Sequence, residues 1–319
     1  MAVYTKVTRS ALNHFLCDYP IAPLRTFEGI AEGYENTNYI LETEEARYIL
    51  TLFEKRTNAK DLPFFLTLMD HMAQHSIPCP RPVKTKNNIY IQKLNGKNAC
   101  ITSFLNGTSV TQPNEVHCAK MGETIAAFHV AGSSFSMRRN SEFSLKILQK
   151  ISDKLSEKID GTKENYRSVI EEEMRFLEAS IDKNLPKGII HGDFFPDNVL
   201  FGDDTITGLL DFYFATYDFL TLDLAVVLNA WCFDENNQFI MENATALLHN
   251  YKAIRPLSAD EWAAFPTLCR LASLRFLLTR LYDTINPVNG LVPANKNPIE
   301  YLQKLAFHQR IKDAAQYVI

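Results

Sequence analysis

His191-Gly192-Asp193-Phe194-Phe195-Pro196-Asp197-Asn198 is the stretch on which the reading of this chain turns. A carboxylate, Asp193, stands two positions after a histidine and five before a carboxamide, Asn198. The apolar pair Ile189-Ile190 feeds the stretch as a strand would, and Pro196 with the aromatic pair Phe194-Phe195 can fix a tight loop against a core. Downstream, Val199-Leu200-Phe201 and Thr207-Gly208-Leu209-Leu210 read as a short hairpin turning at Gly202-Asp203-Asp204. The second strand ends in another acid, Asp211. One hairpin is enough to return that acid to the loop.

The pattern H-x-D-x-x-x-x-N with a later aspartate suits phosphoryl transfer to a hydroxyl. Asp193 is placed to orient that hydroxyl and take its proton. Asn198 and Asp211 offer the hard oxygen ligands that Mg²⁺ prefers. His191 is a possible base, but its place in the pattern favours ordering the loop by hydrogen bonding. Asp223, in Leu222-Asp223-Leu224-Ala225, opens a core helix. An acid in a first turn suits the helix dipole, and a brace for the loop is the other reading. Both stay open here. The bland alternative for Asp193 and Asn198, side chains that merely cap turns, leaves the two flanking strands and Asp211 unexplained.

Working outward, the 319 residues suffice for two domains or one two-lobed domain. The composition, 46% hydrophobic and 22% charged, is that of an ordinary globular protein. A net charge of −4 advertises no surface for nucleic acid. The six cysteines form no C-x-x-C pair and read as free thiols of a reducing, cytoplasmic compartment. Charges interrupt the first twenty residues, so no signal peptide is expected, and no apolar run is long enough to span a membrane.

Thr8 to Leu16 reads as a capped helix, and Leu24 to Glu54 carries strand runs at Tyr39–Thr43 and Arg47–Phe53 around a turn at Glu44-Glu45. Asp61 to His75 is helical, with Leu62, Phe65, Leu66 and Met69 on one face. A strand pair over Ile89–Gln92 and Ala99–Phe104 is expected next. From Asn114 the pattern is mainly helical: Glu115–Val130, solvated helices within Glu142–Asp182, and core helices around Leu222–Trp231 and Leu268–Leu281. The expected fold class is α+β. An N-terminal antiparallel sheet lobe spans residues 1–105, and a larger, mainly helical C-terminal lobe spans 106–319, with a hinge at Ile101–Leu105.

His191–Phe201, Leu209–Phe212 and Asp218–Ala225 together resemble the aminoglycoside phosphotransferase and choline kinase superfamily, which has a protein-kinase-like two-lobed fold. First-lobe stretches, among them Glu35-Asn36-Thr37-Asn38-Tyr39, Leu62-Pro63-Phe64-Phe65 and Ile77-Pro78-Cys79-Pro80-Arg81-Pro82, resemble the bacterial homoserine kinase family within it, as does Leu274-Arg275-Phe276. The resemblance runs through nearly the whole chain. It implies ATP and Mg²⁺ as cofactors and L-homoserine as the acceptor, converted to O-phospho-L-homoserine in threonine biosynthesis. It also implies adenine recognition by the backbone around Ser103 and Phe104. No G-x-x-x-x-G-K-[ST] loop is present.

The chain departs from the superfamily on its third strand. Thr51 takes the place of the usual phosphate-gripping lysine, and the next helix offers Leu62, Phe65 and Leu66 where the partner glutamate is expected. Losing both avoids an unpaired charge. The Gly29–Gly33 loop is a candidate for compensating with backbone N–H groups, and Lys55 or Arg56 for reaching in, though solvated charges fit these two better. For the acceptor pocket, Arg275 is the candidate for a carboxylate, because its planar fork binds two oxygens. The competing reading pairs Arg275 and Arg280 with a structural acid such as Asp283. Tyr34, Tyr213 and Asp218 are weaker pocket candidates. His71 and His75 have metal-ligand spacing on a helix but no companions, so a solvated face is expected. The alternatives are another acceptor (choline, an aminosugar or an aminoglycoside), a non-catalytic nucleotide-binding regulator, and a metallophosphoesterase, for which metal ligands are too few.

Overall fold

The structure is a computed structural model, and it describes residues 3–31, 36–54, 58–155, 158–159, 165–286 and 297–319. The chain forms two compact units, one of residues 1–108 with 207–213 and one of residues 109–206 with 214–319.

The first unit begins with α1 (Arg9–Leu16), whose expected cap is present: the Thr8 side chain accepts the Ala11 N–H. Strands β1 (Leu24–Gly29), β2 (Thr37–Thr43) and β3 (Arg47–Phe53) follow, then α2 (Leu62–Gln74), β4 (Pro82–Val83), β5 (Gln92–Leu94), β6 (Lys97–Ser103) and the two-residue β7 (Thr108–Ser109) at the unit's edge. The sheet runs in the order β1-β2-β3-β6-β4, with β5 also on β6. Its pairs are antiparallel, with Asn38 opposite Thr51 and Thr51 opposite Cys100. Alternation then sends Tyr39, Leu41, Leu50, Leu52, Ala99 and Ile101 to one face, where they form a core with Leu12 and Phe15 of α1.

The strand pair expected at Ile89–Gln92 is displaced. The strand is Gln92–Leu94, and Lys93 faces Asn98. The cause is Asn95-Gly96, both at positive φ (49° and 78°), the backbone of a two-residue hairpin turn. That turn fixes the register closer to β6 than the apolar run alone suggests.

The second unit contains α3 (Glu115–Gly132), α4 (Leu145–Leu155), α5 (Tyr166–Ser180), β8 (Lys187–Ile190), β9 (Val199–Gly202), β10 (Thr205–Leu209, which crosses into the first unit), β11 (Thr216–Phe219), α6 (Leu220–Trp231), α7 (Met241–Ile254), α8 (Ala259–Ile285) and α9 (Pro298–Arg310). Asp203, at φ 52°, makes the tight turn after β9, and Thr205 Oγ1 donates to the Gly202 carbonyl at 2.9 Å. α3 and α7 cross closely at Gly122, where any Cβ would collide with the Leu247 carbonyl. α6 is buried on nearly every face and packs against α8, so it forms the centre of this unit.

Candidate active site

β8 delivers the chain to the His191 loop. It is held by β11 in an antiparallel pair, Ile190 opposite Thr216 and Gly188 opposite Asp218. Gly192 then turns at φ +76°, and a Cβ there would sit 2.7 Å from the Phe143 ring. Conformation and space both demand glycine.

The loop is tied down by one carboxylate. Asp223, fully buried in the first turn of α6, accepts the His191 N–H through Oδ2 and the Gly192 N–H through Oδ1, each at 2.8 Å. His129 Nε2 lies 3.2 Å from Oδ2. Burial works to raise the Asp223 pKa, but the hydrogen bonds from His129 and from the His191 N–H hold the carboxyl below its usual range. Burial pushes the His129 imidazole down against the pull of Asp223, which keeps it neutral. The brace reading of Asp223 therefore has its geometry, and its first-turn position puts it under the loop.

The other groups of the loop are equally constrained. The Trp231 indole N–H donates to the Phe194 carbonyl at 2.7 Å. The His191 ring is fully buried and stacks on Phe194 at 3.9 Å between centroids, which suits the ordering role. Asn198 Nδ2 donates to the Asp193 carbonyl at 2.8 Å and to its carboxylate Oδ2 at 3.1 Å. The Asp193 N–H to Asn198 segment closes on itself through Phe195 N–H to the Asp193 carbonyl at 2.8 Å and Asn198 N–H to the Phe195 carbonyl at 2.9 Å. The two residues singled out by spacing are thus in direct contact through the Asn198 side-chain amide.

Arg275, on α8, is buried to 4% exposure. Its Nη1 donates to the Gly192 carbonyl, and its guanidinium lies 3.5 Å over the Phe143 ring and 4.3 Å from the Phe276 centroid. Gly192 is therefore held at both backbone atoms, N–H by Asp223 and C=O by Arg275. Burial lowers the Arg275 pKa to about 10, against the stabilising charge of Asp193. Among the described residues no acid forms an ion pair with Arg275. Arg280 does have a structural acid, but it is Glu300 of α9 at 2.5 Å rather than Asp283, because α9 packs along α8 and brings Glu300 alongside. Asp218 accepts the Phe219 N–H at 2.8 Å, at the entrance to α6.

Within the first unit, Asp211 adopts φ 57° and Tyr213 N–H lies 3.4 Å from its Oδ1. The Tyr213 ring sits edge-on between Phe53 and Phe65, with centroids 5.7 and 5.6 Å away. Thr51 Oγ1 donates to Asn38 Oδ1 at 2.8 Å, so the third-strand position holds a neutral pair. Gly29 ends β1 as a paired strand residue, and a Cβ there would strike Val3 at 2.6 Å. The Ser103 N–H donates to Arg81 and the Phe104 N–H to Arg47, at 2.9 and 3.2 Å, so both amides are engaged within the unit. Gly33, Tyr34, Lys55 and Arg56 lie outside the described residues. The His71 and His75 rings lie 4.2 Å apart, tilted by 36°, and among the described residues no group of three or more His, Cys, Asp and Glu could hold a metal. All six cysteines are free thiols, and only Cys17 is exposed. Among the described residues no helix is long and apolar enough to cross a membrane.

Sequence reasoning missed His129, Tyr251, Arg255 and Glu261, which stand behind Asp223. One of them, Glu261, left a signal: Ser258-Ala259-Asp260-Glu261 is a visible capping box, formed in the structure at the start of α8.

Comparison with known proteins agrees with this geometry. Residues 26–257 match the Phosphotransferase enzyme family. Homoserine kinase from Rhodospirillum rubrum is 46% identical, and homoserine kinase from Xanthobacter autotrophicus 44% identical, each over 99% of both chains. Among solved structures, an amicoumacin kinase in complex with AMP-PNP, Ca²⁺ and Ami superposes with a TM-score of 0.71 at 15% identity, covering 97% of each chain. Choline kinase from Cryptosporidium parvum superposes with a TM-score of 0.70 at 13% identity, covering 95% of each. The fold is that of these protein-kinase-like phosphotransferases.

Proposed function

Since the chain belongs to the phosphotransferase enzyme family and, within it, to the homoserine kinases, we propose that it transfers the γ-phosphoryl group of ATP to the hydroxyl of L-homoserine. The products are O-phospho-L-homoserine and ADP, and the step belongs to threonine biosynthesis. The observation that carries the catalytic assignment is the grip on Gly192: Asp223 on its N–H and Arg275 on its carbonyl fix the backbone one residue ahead of Asp193.

The Asp193 carboxylate accepts the proton of the substrate hydroxyl as that oxygen bonds to the γ-phosphorus and the bond to the β-phosphate oxygen breaks. His191 orders the loop through its backbone and its stacked ring. The donor set fits Mg²⁺, since Asn198 contributes a carboxamide oxygen and Asp211 a carboxylate, both hard. A bound Mg²⁺ would neutralise phosphate charge. Arg275 offers its remaining N–H donors to the α-carboxylate of the acceptor, with Asp218, Tyr213 and Tyr34 as further pocket residues. ATP is held by the N-terminal lobe, residues 1–105, and chemistry by residues 106–319, in the cytoplasm. Since the Ser103 and Phe104 amides are engaged, the adenine edge meets the Leu105 N–H, and the Gly29–Gly33 loop is the candidate for the phosphates.

The test is ³¹P NMR of the product formed from ATP and L-homoserine by wild type and Asp193→Asn. Wild type should form O-phosphohomoserine, and the variant should bind ATP yet turn over at least about a thousandfold more slowly. Turnover confined to choline, ethanolamine or an aminosugar would overturn the acceptor. Variant turnover within tenfold of wild type would overturn the base.

A further inference from the structure

Behind Asp223 runs a line of hydrogen bonds, buried at His129 and part-buried beyond Tyr251. His129 Nε2 faces Asp223 Oδ2 at 3.2 Å, His129 Nδ1 faces the Tyr251 hydroxyl at 2.9 Å, and Arg255 Nη1 donates to that hydroxyl at 2.9 Å. Arg255 Nη2 in turn pairs with Glu261 at 2.7 Å, and Glu261 closes the capping box of α8 by accepting the Ser258 N–H at 3.0 Å. We infer that Tyr251 and Arg255 are positioning residues of the phosphoryl-transfer site, acting by fixing His129 in the tautomer that donates to Asp223. The inference rests on the reading of Asp193 as the proton acceptor.

The two ends of the line decide every proton in it. Asp223 is ionised and already accepts two backbone N–H groups, so it can bond to His129 only where Nε2 carries the hydrogen. Arg255 has no acceptor atom, so it can only donate to the Tyr251 oxygen. Tyr251 is fully buried, and its hydroxyl hydrogen has one acceptor in reach, His129 Nδ1. Protonating Nδ1 would strand the Tyr251 hydrogen beside a guanidinium, which is why the neutral Nε2–H form is locked. With Nδ1–H instead, a lone pair would face the Asp223 carboxylate, and the carboxylate would turn from the His191 and Gly192 amides. The Gly192 backbone would then lose the grip that orients Asp193. Glu261 anchors the far end on α8, the helix that also supplies Arg275 to the Gly192 carbonyl. One helix thus secures both sides of that peptide.

The test combines a spectroscopic and a kinetic reading on the full chain. ¹⁵N NMR of the His129 ring in wild type should show the Nε2–H tautomer. In Tyr251→Phe, the Nδ1–H form should become populated, and kcat with ATP and L-homoserine should fall about tenfold, the effect of one neutral hydrogen bond, with both KM values within about twofold. Arg255→Met should move the same signals in the same direction, and Arg255→Lys, which keeps a donor, should restore them. A wild-type Nδ1–H tautomer overturns the inference, as does Tyr251→Phe with an unchanged tautomer. A shifted tautomer with unchanged kcat also overturns it. Should Tyr251→Phe fail to fold, the wild-type tautomer and the Arg255 pair still decide. Absence of homoserine phosphorylation by wild type would instead bring down the proposed function, a result separate from the ring spectrum.

Discussion

Asp223→Asn removes a charge and one acceptor while keeping the side chain's volume, so it isolates the carboxylate's grip on the loop. The three donors around it stand at 2.8, 2.8 and 3.2 Å, all buried. Asparagine offers one oxygen and one N–H₂. The less costly orientation keeps the oxygen toward His191 and His129 and turns the N–H₂ toward the Gly192 N–H, donor against donor. That loses one hydrogen bond to a charged acceptor, about 1.5–3 kcal/mol, and weakens the other two. Relief of the buried charge offsets part of this. The net loss is about 2–3 kcal/mol, and the loop can recover much of it by swinging Gly192 away. Asp193 moves with it, so the fraction of molecules with a productive loop falls by about 30- to 150-fold at 1.36 kcal/mol per decade. kcat should fall by that factor while KM for ATP stays within about threefold, and urea unfolding should show up to about 2–3 kcal/mol of lost stability. A variant with kcat within threefold of wild type and unchanged stability would refute the reasoning, since it would mean the loop holds its shape without this carboxylate.

Gly192→Ala should destabilise the fold by about 2–4 kcal/mol, combining a left-handed backbone with a Cβ 2.7 Å from Phe143; a denaturation midpoint equal to wild type would contradict that. Arg275→Met should lower kcat for both L-homoserine and 3-aminopropan-1-ol, which lacks a carboxylate, by freeing the Gly192 carbonyl, and should raise KM for L-homoserine alone; an unchanged KM for L-homoserine would assign Arg275 to the loop alone. Acid should weaken the fold through His308, whose pKa burial, with Lys304 and Arg270 nearby, depresses to about 3. The unfolded chain takes a proton below about 6.5 and the folded one does not, so this stability is complete above that pH and is lost as pH falls. About 2 kcal/mol should go between pH 6.5 and 5, and a wild-type unfolding free energy that is flat over that window, or a slope unchanged in His308→Gln, would rule this out.

What could be read from the sequence was local. Thr8 as a cap, Leu62 to Met69 as a buried stripe, and Asp193 with Asn198 on one loop are all consequences of spacings under ten residues, where chain geometry alone decides which side chains meet. The displacement of strand β5 came from weighing apolar content above the Asn95-Gly96 turn, and turn chemistry is what fixes register in a hairpin.

The polar partners were another matter. A buried arginine announces that it needs acceptors, but not which ones. Arg280 found Glu300 across a helix interface instead of Asp283 one turn away, because Arg280 is buried against α9 whereas Asp283 is exposed. His129 stands in an apolar helix and reads as core until α3 is placed against α6 and α7, when Asp223 and Tyr251 arrive from positions 94 and 122 residues later. Residue type encodes the demand for a hydrogen bond, whereas topology supplies the partner. Asp223 shows how far the two can be combined. Its place in the first turn of a buried helix was visible, and an ionised side chain there must be surrounded by donors. The His191 loop has backbone amides without strand partners, so the carboxylate and the loop's amides satisfy each other's requirement. The same argument applied to Arg275 points the other way. A buried cation that meets one carbonyl and the rings of Phe143 and Phe276, with no acid in ion-pair contact among the described residues, is what the proposed role toward the acceptor's carboxylate rests on.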